Sequence, residues 1–120
     1  MAFKMTRVLV KRSDKRIKEP QITSIIRDKA EAHDIHVLDL SRKGLRFSTK
    51  DQHEKGEKLK FELQGIDVKS ALSLNIKAKV INDYGRNKEG LYEYGVKFFR
   101  LQYWYEINCI HNYIYSRTKG

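Results

Sequence analysis

The chain has 120 residues, 40% of them hydrophobic, which is enough to bury the core of one domain and too little for two. Its 25 Lys and Arg residues outnumber 15 Asp and Glu residues, and the formal net charge is +10. The length excludes a multidomain enzyme, and the charge predicts an anionic partner: nucleic acid, a nucleotide or an acidic membrane surface.

The first 20 residues form a basic arm. Seven basic and two acidic side chains lie there, so the arm carries half of the net charge. The run KRSDKR, residues 11–16, has no apolar residue for a core and is either a solvated charge run or an anion-binding segment. Pro20 ends the arm, where a proline suits the start of a strand. We therefore divide the chain into an arm, residues 1–20, and a folded domain, residues 21–120.

The expected compartment depends on the N-terminal sequence and the cysteine content. The N-terminus lacks the apolar stretch of a signal peptide, and no segment approaches the roughly 20 apolar residues of a membrane span. The one cysteine, Cys109, permits no internal disulfide, which suits a reducing environment. We expect a soluble, cytoplasmic protein.

Six segments of the domain have the composition of β-strands, with apolar and polar residues alternating at a period of two in the clearest of them. The clear candidates are residues 59–63, 72–80 and 92–98, and the weaker ones are 21–27, 35–40 and 44–48. Polar turns separate them at 27–34, 49–57 and 82–90. Six short strands with hairpin-length connections predict a mainly β fold, an antiparallel barrel or sandwich.

The C-terminal segment changes to the period of an α-helix, which we predict over about residues 101–117. One face of this helix is apolar and is expected to plug the barrel; it contains Tyr103, Ile107, Ile110 and Ile114. The outer side consists of singly exposed side chains or forms a contact surface for a partner or a second copy of the chain. Its apolar residues are Leu101, Tyr105 and Tyr115.

The stretch DLSRKG, residues 39–44, ends one of the weaker strands with polar residues. Side chains two apart in a strand point the same way, so Asp39 and Ser41 are expected to face outward together and Leu38 and Leu40 to face the core. Gly44 removes a side chain where the chain turns, which lets another group approach the backbone closely.

The same parity places Ile35 and Val37 on the outer face with Asp39. Two aliphatic side chains are not expected to face water beside a carboxylate. We therefore expect another element, or a ligand, to cover this face.

The arm and the strand end have complementary chemistry. Arg12 and Arg16 are four residues apart, and guanidinium groups bind phosphate oxygens or the O6 and N7 edge of guanine bidentately. Asp39, an acceptor when ionised, suits the N1–H and N2–H donors on the other edge of guanine. One guanine can thus be held from both sides, and the implied ligand contains guanine and phosphate.

These two stretches resemble a family signature. Arg12 to Arg16 is similar to the RxxxR motif, and Asp39 to Gly44 is similar to the [D/N]xSxxG motif, of PilZ domains, the bacterial receptors for the second messenger cyclic di-GMP. That family is a six-stranded antiparallel barrel with a C-terminal helix. The segment 95–98, GVKF, resembles its GVxF strand, so the resemblance covers nearly the whole chain.

The resemblance implies a receptor that is not an enzyme and needs no metal. Arg12 and Arg16 would clamp guanine and phosphate, and the strand-side positions would be Asp39, Ser41 and Gly44. Further phosphate contacts are expected from Lys11, Lys15, Arg42 and Lys43. Many relatives have glycine at the position of Lys43, and if that position needs a positive φ, lysine there costs about 1–2 kcal/mol.

The arm also suggests how binding is signalled. Because it has nothing to bury, we expect it to be mobile without an anion, and ligand phosphates are expected to order about residues 7 to 18 against the barrel. The ordered arm would present a new surface to a protein partner.

Other interpretations stay open. A basic barrel can bind single-stranded nucleic acid, although the aromatic residues concentrate in the last strand and the helix rather than beside the arm. A protein adaptor with a vestigial messenger site is also consistent with Lys43. His33, Asp34 and His36 complete no usual zinc spacing, and Cys109 has no His and carboxylate pattern that would make it a nucleophile.

Overall fold

The computed structural model describes residues 16–28, 30–66, 73–99 and 104–118, with helix side chains described from 108 to 117. Seven strands and one helix follow one another in these ranges. They are β1 (Arg16–Lys18), β2 (Thr23–Asp28), β3 (Glu31–Ser41), β4 (Gly44–Thr49), β5 (Lys58–Gln64), β6 (Leu74–Arg86), β7 (Tyr92–Phe98) and α1 (Trp104–Thr118).

Six of the strands close into an antiparallel barrel. Their hydrogen-bonded order is β3-β2-β5-β6-β7-β4, and β4 pairs with β3 to complete the ring. The seventh strand, β1, pairs with β3 outside the barrel. The prediction of a mainly β fold with a six-stranded antiparallel barrel and a C-terminal helix is confirmed. Strand β1 was not predicted, because its sequence RIK is too short to show alternation.

The barrel interior is apolar because each strand directs every second side chain into it. In β5 the buried residues are Leu59, Phe61 and Leu63, at 6% exposure or less. Burying side chains of this size contributes about 1.5–3 kcal/mol each. Phe61 packs edge-on against Phe47 of β4, with 5.4 Å between ring centroids, so aromatic rings join two strands that are not neighbours in the barrel.

Two segments predicted as turns are partly strands. Residues 31–34 begin β3 and pair with β2, and residues 82–86 extend β6 along β7. Most of their side chains are exposed, but backbone hydrogen bonds hold a ladder whatever the polarity of the side chains. Polarity alone therefore placed these boundaries wrongly.

The helix shares the core of the barrel. It packs against β1, β3 and β6, and Ile110, Tyr113 and Ile114 are buried in one cluster with the barrel residues. The other two residues of the predicted apolar face, Tyr103 and Ile107, lie outside the described side chains. Within the described ranges, no helical segment has the length and apolar composition that a bilayer span requires.

A β-bulge changes the side-chain orientation near the end of β3. Between Val37 and Asp39 the pairing advances two residues on β3 but one on β4, so Leu38 is an inserted residue. Val37 and Leu40 are both buried as a result, and Ile35 packs against the core. The predicted orientation of these side chains was wrong. Leu38, expected in the core, is half-buried outside the core cluster, and Val37, expected on the outer face, is part of the core and is not left for a ligand to cover.

Candidate functional site

The basic arm and the end of β3 are in contact. Strand β1 pairs with β3 so that Arg16 lies opposite Ser41 and Lys18 lies opposite Asp39. The Arg16 Nη1 atom donates to Asp39 Oδ1 at 2.5 Å. The Arg16 side chain remains 53% exposed and that of Asp39 21%. Arg16, the last residue of the first motif, therefore meets Asp39, the first residue of the second, at an accessible point on the outer surface of the barrel.

The length of β3 explains why β1 can bind there. Residues 31–35 of β3 pair with β2, and residues 39–41 pair with β1 on the same edge, because β4 occupies the other edge. Strands β1 and β2 thus run in line, interrupted at Glu19 and Pro20. The Glu19 N–H donates to the Leu38 carbonyl at 2.8 Å, and Glu19 has φ 49°. A left-handed conformation of this kind costs about 1–2 kcal/mol in a residue other than glycine.

Ser41 shapes the turn after β3 instead of facing outward. It is 2% exposed, and its Oγ accepts hydrogen bonds from the N–H groups of Lys43 at 3.2 Å and Gly44 at 3.3 Å. The hydroxyl also lies 3.3 Å from the Gly44 carbonyl, to which it can donate. The expectation that Ser41 shares an exposed face with Asp39 was wrong, because the hydroxyl turns inward to satisfy the backbone of a tight turn.

Gly44 allows two strands to approach each other closely. A Cβ atom at this position would lie 2.0 Å from the Val96 carbonyl oxygen, where Gly44 pairs with Lys97. The close approach that the sequence suggested is therefore made by the backbone of β7. Lys43 does not have a positive φ, so the conditional cost of lysine at that position does not arise.

The remaining predicted positions are distributed as follows. Arg42 and Lys43 lie in the turn between β3 and β4, half-buried and exposed respectively. Lys11, Arg12, Lys15 and Leu101 lie outside the described residues, as does the side chain of Tyr105. Tyr115 is 57% exposed, as expected for the outer side of the helix.

A residue that the sequence did not single out lies beside Asp39. Arg46 of β4 is opposite Asp39 in the β3–β4 ladder, and its Nη2 donates to Glu93 Oε1 at 2.6 Å. Its guanidinium carbon lies 4.1 Å from the ring centroid of Tyr84. The sequence offered one indication of a role for Arg46, namely a polar residue between the buried Leu45 and Phe47 of β4. Its partners could not be predicted, because Tyr84 and Glu93 belong to later strands.

Hydrogen bonding perturbs the titration of this cluster. The bond from Arg46 is the main cause that lowers the pKa of Glu93, and a second bond from Asn87 acts in the same direction. The same bond to Glu93 raises the pKa of Arg46, with a smaller contribution from the charge of Asp39. Arg46 and Glu93 are therefore held as an ion pair next to Asp39.

The histidines do not gather with Asp34 into a metal site. His33 lies 3.4 Å from both Glu31 and Asp51, whereas His36 bonds Glu19 at 2.7 Å. In the described part of the chain, no group of three or more His, Cys, Asp or Glu residues is arranged to hold a metal ion. Cys109 is partly buried against the core.

A cleft of about 590 Å³ lies near the start of β3, lined by His33, Asp51 and His53 among others. It contains none of the predicted nucleotide-binding residues. We assign the candidate site to the Arg16–Asp39 surface instead, because the two motifs meet there.

Comparison with known proteins agrees with this fold. The inhibitor of motility MotI/DgrA of Bacillus subtilis aligns with a TM-score of 0.69 at 12% identity, covering 88% of this chain and 50% of that one. YcgR of Escherichia coli in complex with c-di-GMP aligns with a TM-score of 0.67 at 16% identity, covering 88% and 45%. The PilZ domain of YcgR with c-di-GMP gives 0.63 at 13% identity, covering 86% and 88%.

The chain spans about half the length of MotI/DgrA and of YcgR. At such identities these likenesses show the fold alone. The sequence matches none of the curated proteins.

The family assignment depends on the sequence model of the PilZ domain. That model matches residues 10–115, which includes β1, the whole barrel and most of α1. The match covers both motifs and most of the 120 residues. The chain therefore belongs to the PilZ domain family, whose domains are receptors for cyclic di-GMP and not enzymes.

Proposed function

We propose that this chain binds cyclic di-GMP at the surface where β1 meets β3, and that Arg16 and Asp39 recognise one guanine. The observation that carries the proposal is the contact between these two side chains, 2.5 Å apart and both partly exposed. Asp39 suits the N1–H and N2–H donors of guanine, and Arg16 suits its O6 and N7 acceptors or a phosphate. The two groups that guanine needs thus lie side by side.

The existing ion pair is no obstacle to the ligand. Exposed ion pairs contribute about 0–1 kcal/mol, so guanine can replace it at little cost. Asp39 then exchanges one Arg16 donor for two guanine donors, and the guanidinium turns to the ligand. Charge-assisted hydrogen bonds of this kind contribute about 1.5–3 kcal/mol each.

The other motif residues support this arrangement in different ways. Ser41 and Gly44 hold the turn after β3 in position against β7, so they act as positioning residues rather than direct contacts. We propose that Arg12 provides the second clamp. Additional phosphate contacts are proposed for Lys11, Lys15, Arg42 and Lys43.

Binding is proposed to extend the order of the arm. Of the residues expected to become ordered, about 7 to 18, Arg16–Lys18 form β1 and residues 7–15 lie outside the described residues. Strand β1 pairs with β3 and also packs against α1. The ordered arm would therefore add surface next to the helix. We propose that a protein partner binds this surface, and that it does so in the cytoplasm, where a second messenger acts.

Calorimetric titration tests the binding step. We expect saturable binding of cyclic di-GMP, and much weaker binding of GTP and of a short single-stranded oligonucleotide. Stronger binding of the oligonucleotide would instead support a nucleic-acid function, and absence of all binding would support an adaptor with a vestigial site.

Asp39→Asn separates guanine recognition from attraction by charge. The substitution keeps the size of the side chain but removes a negative charge from a basic surface. Nonspecific attraction to phosphate would increase, whereas recognition by Asp39 requires the affinity to fall or at best to hold. A clear gain in affinity for cyclic di-GMP would contradict the proposed role of Asp39.

A further inference from the structure

A row of paired positions continues from Asp39 across the outer surface. Arg46 lies opposite Asp39 in the β3–β4 ladder, Gly95 lies opposite Arg46 in the β4–β7 ladder, and Asn82 lies opposite Gly95 in the β6–β7 ladder. Adjacent strands are about 4.8 Å apart, so Gly95 lies roughly 10 Å from Asp39. This distance is within reach of one dinucleotide.

An aromatic ring lies over the glycine in this row. A Cβ atom on Gly95 would lie 3.3 Å from Tyr84 Cε2 and 3.4 Å from Tyr84 Oη. The absent side chain therefore lets the ring lie close to the sheet. Tyr84 is nevertheless 49% exposed.

Arg46 is held against this ring by several contacts. Its guanidinium lies over Tyr84 at 4.1 Å and bonds Glu93 at 2.6 Å, and Asn87 Nδ2 bonds the other oxygen of Glu93 at 3.0 Å. The Arg46 side chain remains 39% exposed. Two planar groups are thus fixed in advance and remain accessible beside the Arg16–Asp39 pair.

Planar cationic and aromatic side chains are the groups on which proteins stack nucleobases. We propose that Arg46 and Tyr84 form a stacking platform for the second base of the ligand, so that the site extends from β1 and β3 to the β6–β7 hairpin. This inference rests on the proposed function, because a ligand with one base would not need both surfaces. It adds two ligand-contacting residues that neither motif contains.

A purely structural role is the main competing explanation, and the hairpin contains a control for it. The guanidinium carbon of Arg86 lies 4.9 Å from the ring centroid of Tyr92. Tyr92 belongs to the same hairpin and comes three residues before Gly95 in β7. The two stacks are similar in kind, but the Arg86–Tyr92 stack lies farther from Asp39. Substitutions in the Arg86–Tyr92 stack therefore report effects on the hairpin alone.

The test compares Tyr84→Ala, Tyr84→Phe, Arg46→Lys and Arg86→Lys in the full chain by calorimetry with cyclic di-GMP. We expect Tyr84→Ala to weaken binding about five- to hundredfold, the range for loss of one stacked base. Tyr84→Phe keeps the ring and should bind like the parent protein. Arg46→Lys keeps the positive charge but loses the planar guanidinium group, so it should bind cyclic di-GMP more weakly than the parent protein. Arg86→Lys should bind it as the parent protein does.

An NMR experiment provides a readout independent of these variants. If a base stacks on the platform, nuclear Overhauser effects should connect its H8 proton to the Tyr84 ring protons in the parent complex. Absence of these effects would overturn the proposal, including in the case that Tyr84→Ala fails to fold.

The outcomes separate this inference from the proposed function. If the parent protein binds cyclic di-GMP, Arg16→Ala loses this binding and Tyr84→Ala keeps it, the platform is overturned and the proposed function is left intact. Failure of the parent to bind cyclic di-GMP would overturn both. Equal losses of affinity for cyclic di-GMP in Arg46→Lys and Arg86→Lys would indicate an effect of the hairpin. A loss of affinity in Tyr84→Ala that is confined to oligonucleotides would indicate a nucleic-acid surface. Either result overturns the platform.

Discussion

Two arginine–carboxylate pairs on the barrel surface have similar exposure but different settings. Arg27 of β2 binds Glu62 of β5 with two hydrogen bonds, at 2.7 and 3.3 Å, between adjacent strands of the barrel. Arg16 binds Asp39 through one bond, from an outside strand of three residues that is followed directly by the left-handed Glu19. The first pair joins parts of the closed barrel, and the second joins an attached segment to it.

The two ion pairs have the same chemistry but differ in what must change for them to separate. Separating Arg27 from Glu62 requires two hydrogen bonds between side chains of paired barrel strands to break. Separating Arg16 from Asp39 requires a change only in exposed side chains at a strand end. Because exposure is similar in the two pairs, the proposed ligand site depends on the position of the Arg16–Asp39 pair in the topology and not on its exposure.

The largest expected effect concerns how the strand end is fixed to the barrel. Gly44→Ala places a Cβ atom against the Val96 carbonyl, 2.0 Å away in the present backbone, so the turn must move away from β7. We expect a loss at or above the upper end of about 1–3 kcal/mol in unfolding free energy, together with loss of binding. Denaturant unfolding measures the first quantity and calorimetry the second.

Gly90→Ala is the control for Gly44→Ala. Gly90 has φ 82° and open space around it, so its cost should be about 1–2 kcal/mol from the backbone alone, with binding retained. A Gly44→Ala protein as stable as the parent would show that the strand end is not held closely against β7.

The second effect tests the comparison of the two pairs directly. Arg16→Ala should reduce the affinity for cyclic di-GMP by about tenfold or more, because a charged hydrogen bond to the ligand is lost. Arg27→Ala removes the same charge and also breaks an ion pair, but affinity should stay within about twofold. Similar losses in both variants, measured by calorimetry, would mean that net charge and not position governs binding.

A smaller effect is expected on the protease sensitivity of the arm. Trypsin cleaves after Lys11, Arg12, Lys15 and Arg16, and saturating cyclic di-GMP should slow these cuts if binding orders the arm over about residues 7 to 18. Cleavage at Lys88, in the distal turn of the hairpin, should be unaffected. Peptide mapping over time measures both rates, and equal cleavage of the arm with and without ligand would contradict arm ordering while leaving binding intact.

The smallest effect concerns stability and pH in the barrel pair. The hydrogen bond from Arg27 lowers the pKa of Glu62 below its ordinary value of 4.5. The pair therefore contributes stability above that value and loses it as the pH falls through the lowered pKa. Arg27→Ala should have a slightly lower thermal midpoint at neutral pH, and the difference should disappear in acid. A difference that persists in acid would show that packing, not charge, is responsible.

Much of the fold was determined by local sequence. Alternation in β5 follows from the two-residue period of a strand, and the apolar spacing of Ile110 and Ile114 follows from the period of a helix. The two motifs, residues 12–16 and 39–44, together with the GVKF segment, suggested the family. Membership in that family makes this domain one of a class of receptors that are not enzymes, whereas the binding roles of these residues remain predictions.

Tertiary structure decided what these residues do. The bulge at Leu38, which exchanges the faces of β3, is a feature of its pairing with β4, and no local sequence pattern indicates an inserted residue. Gly44 meets Val96, and Arg46 meets Glu93, about 50 residues further along the chain. Such contacts depend on closure of the barrel, because the local sequence of a strand does not specify which other strand lies beside it.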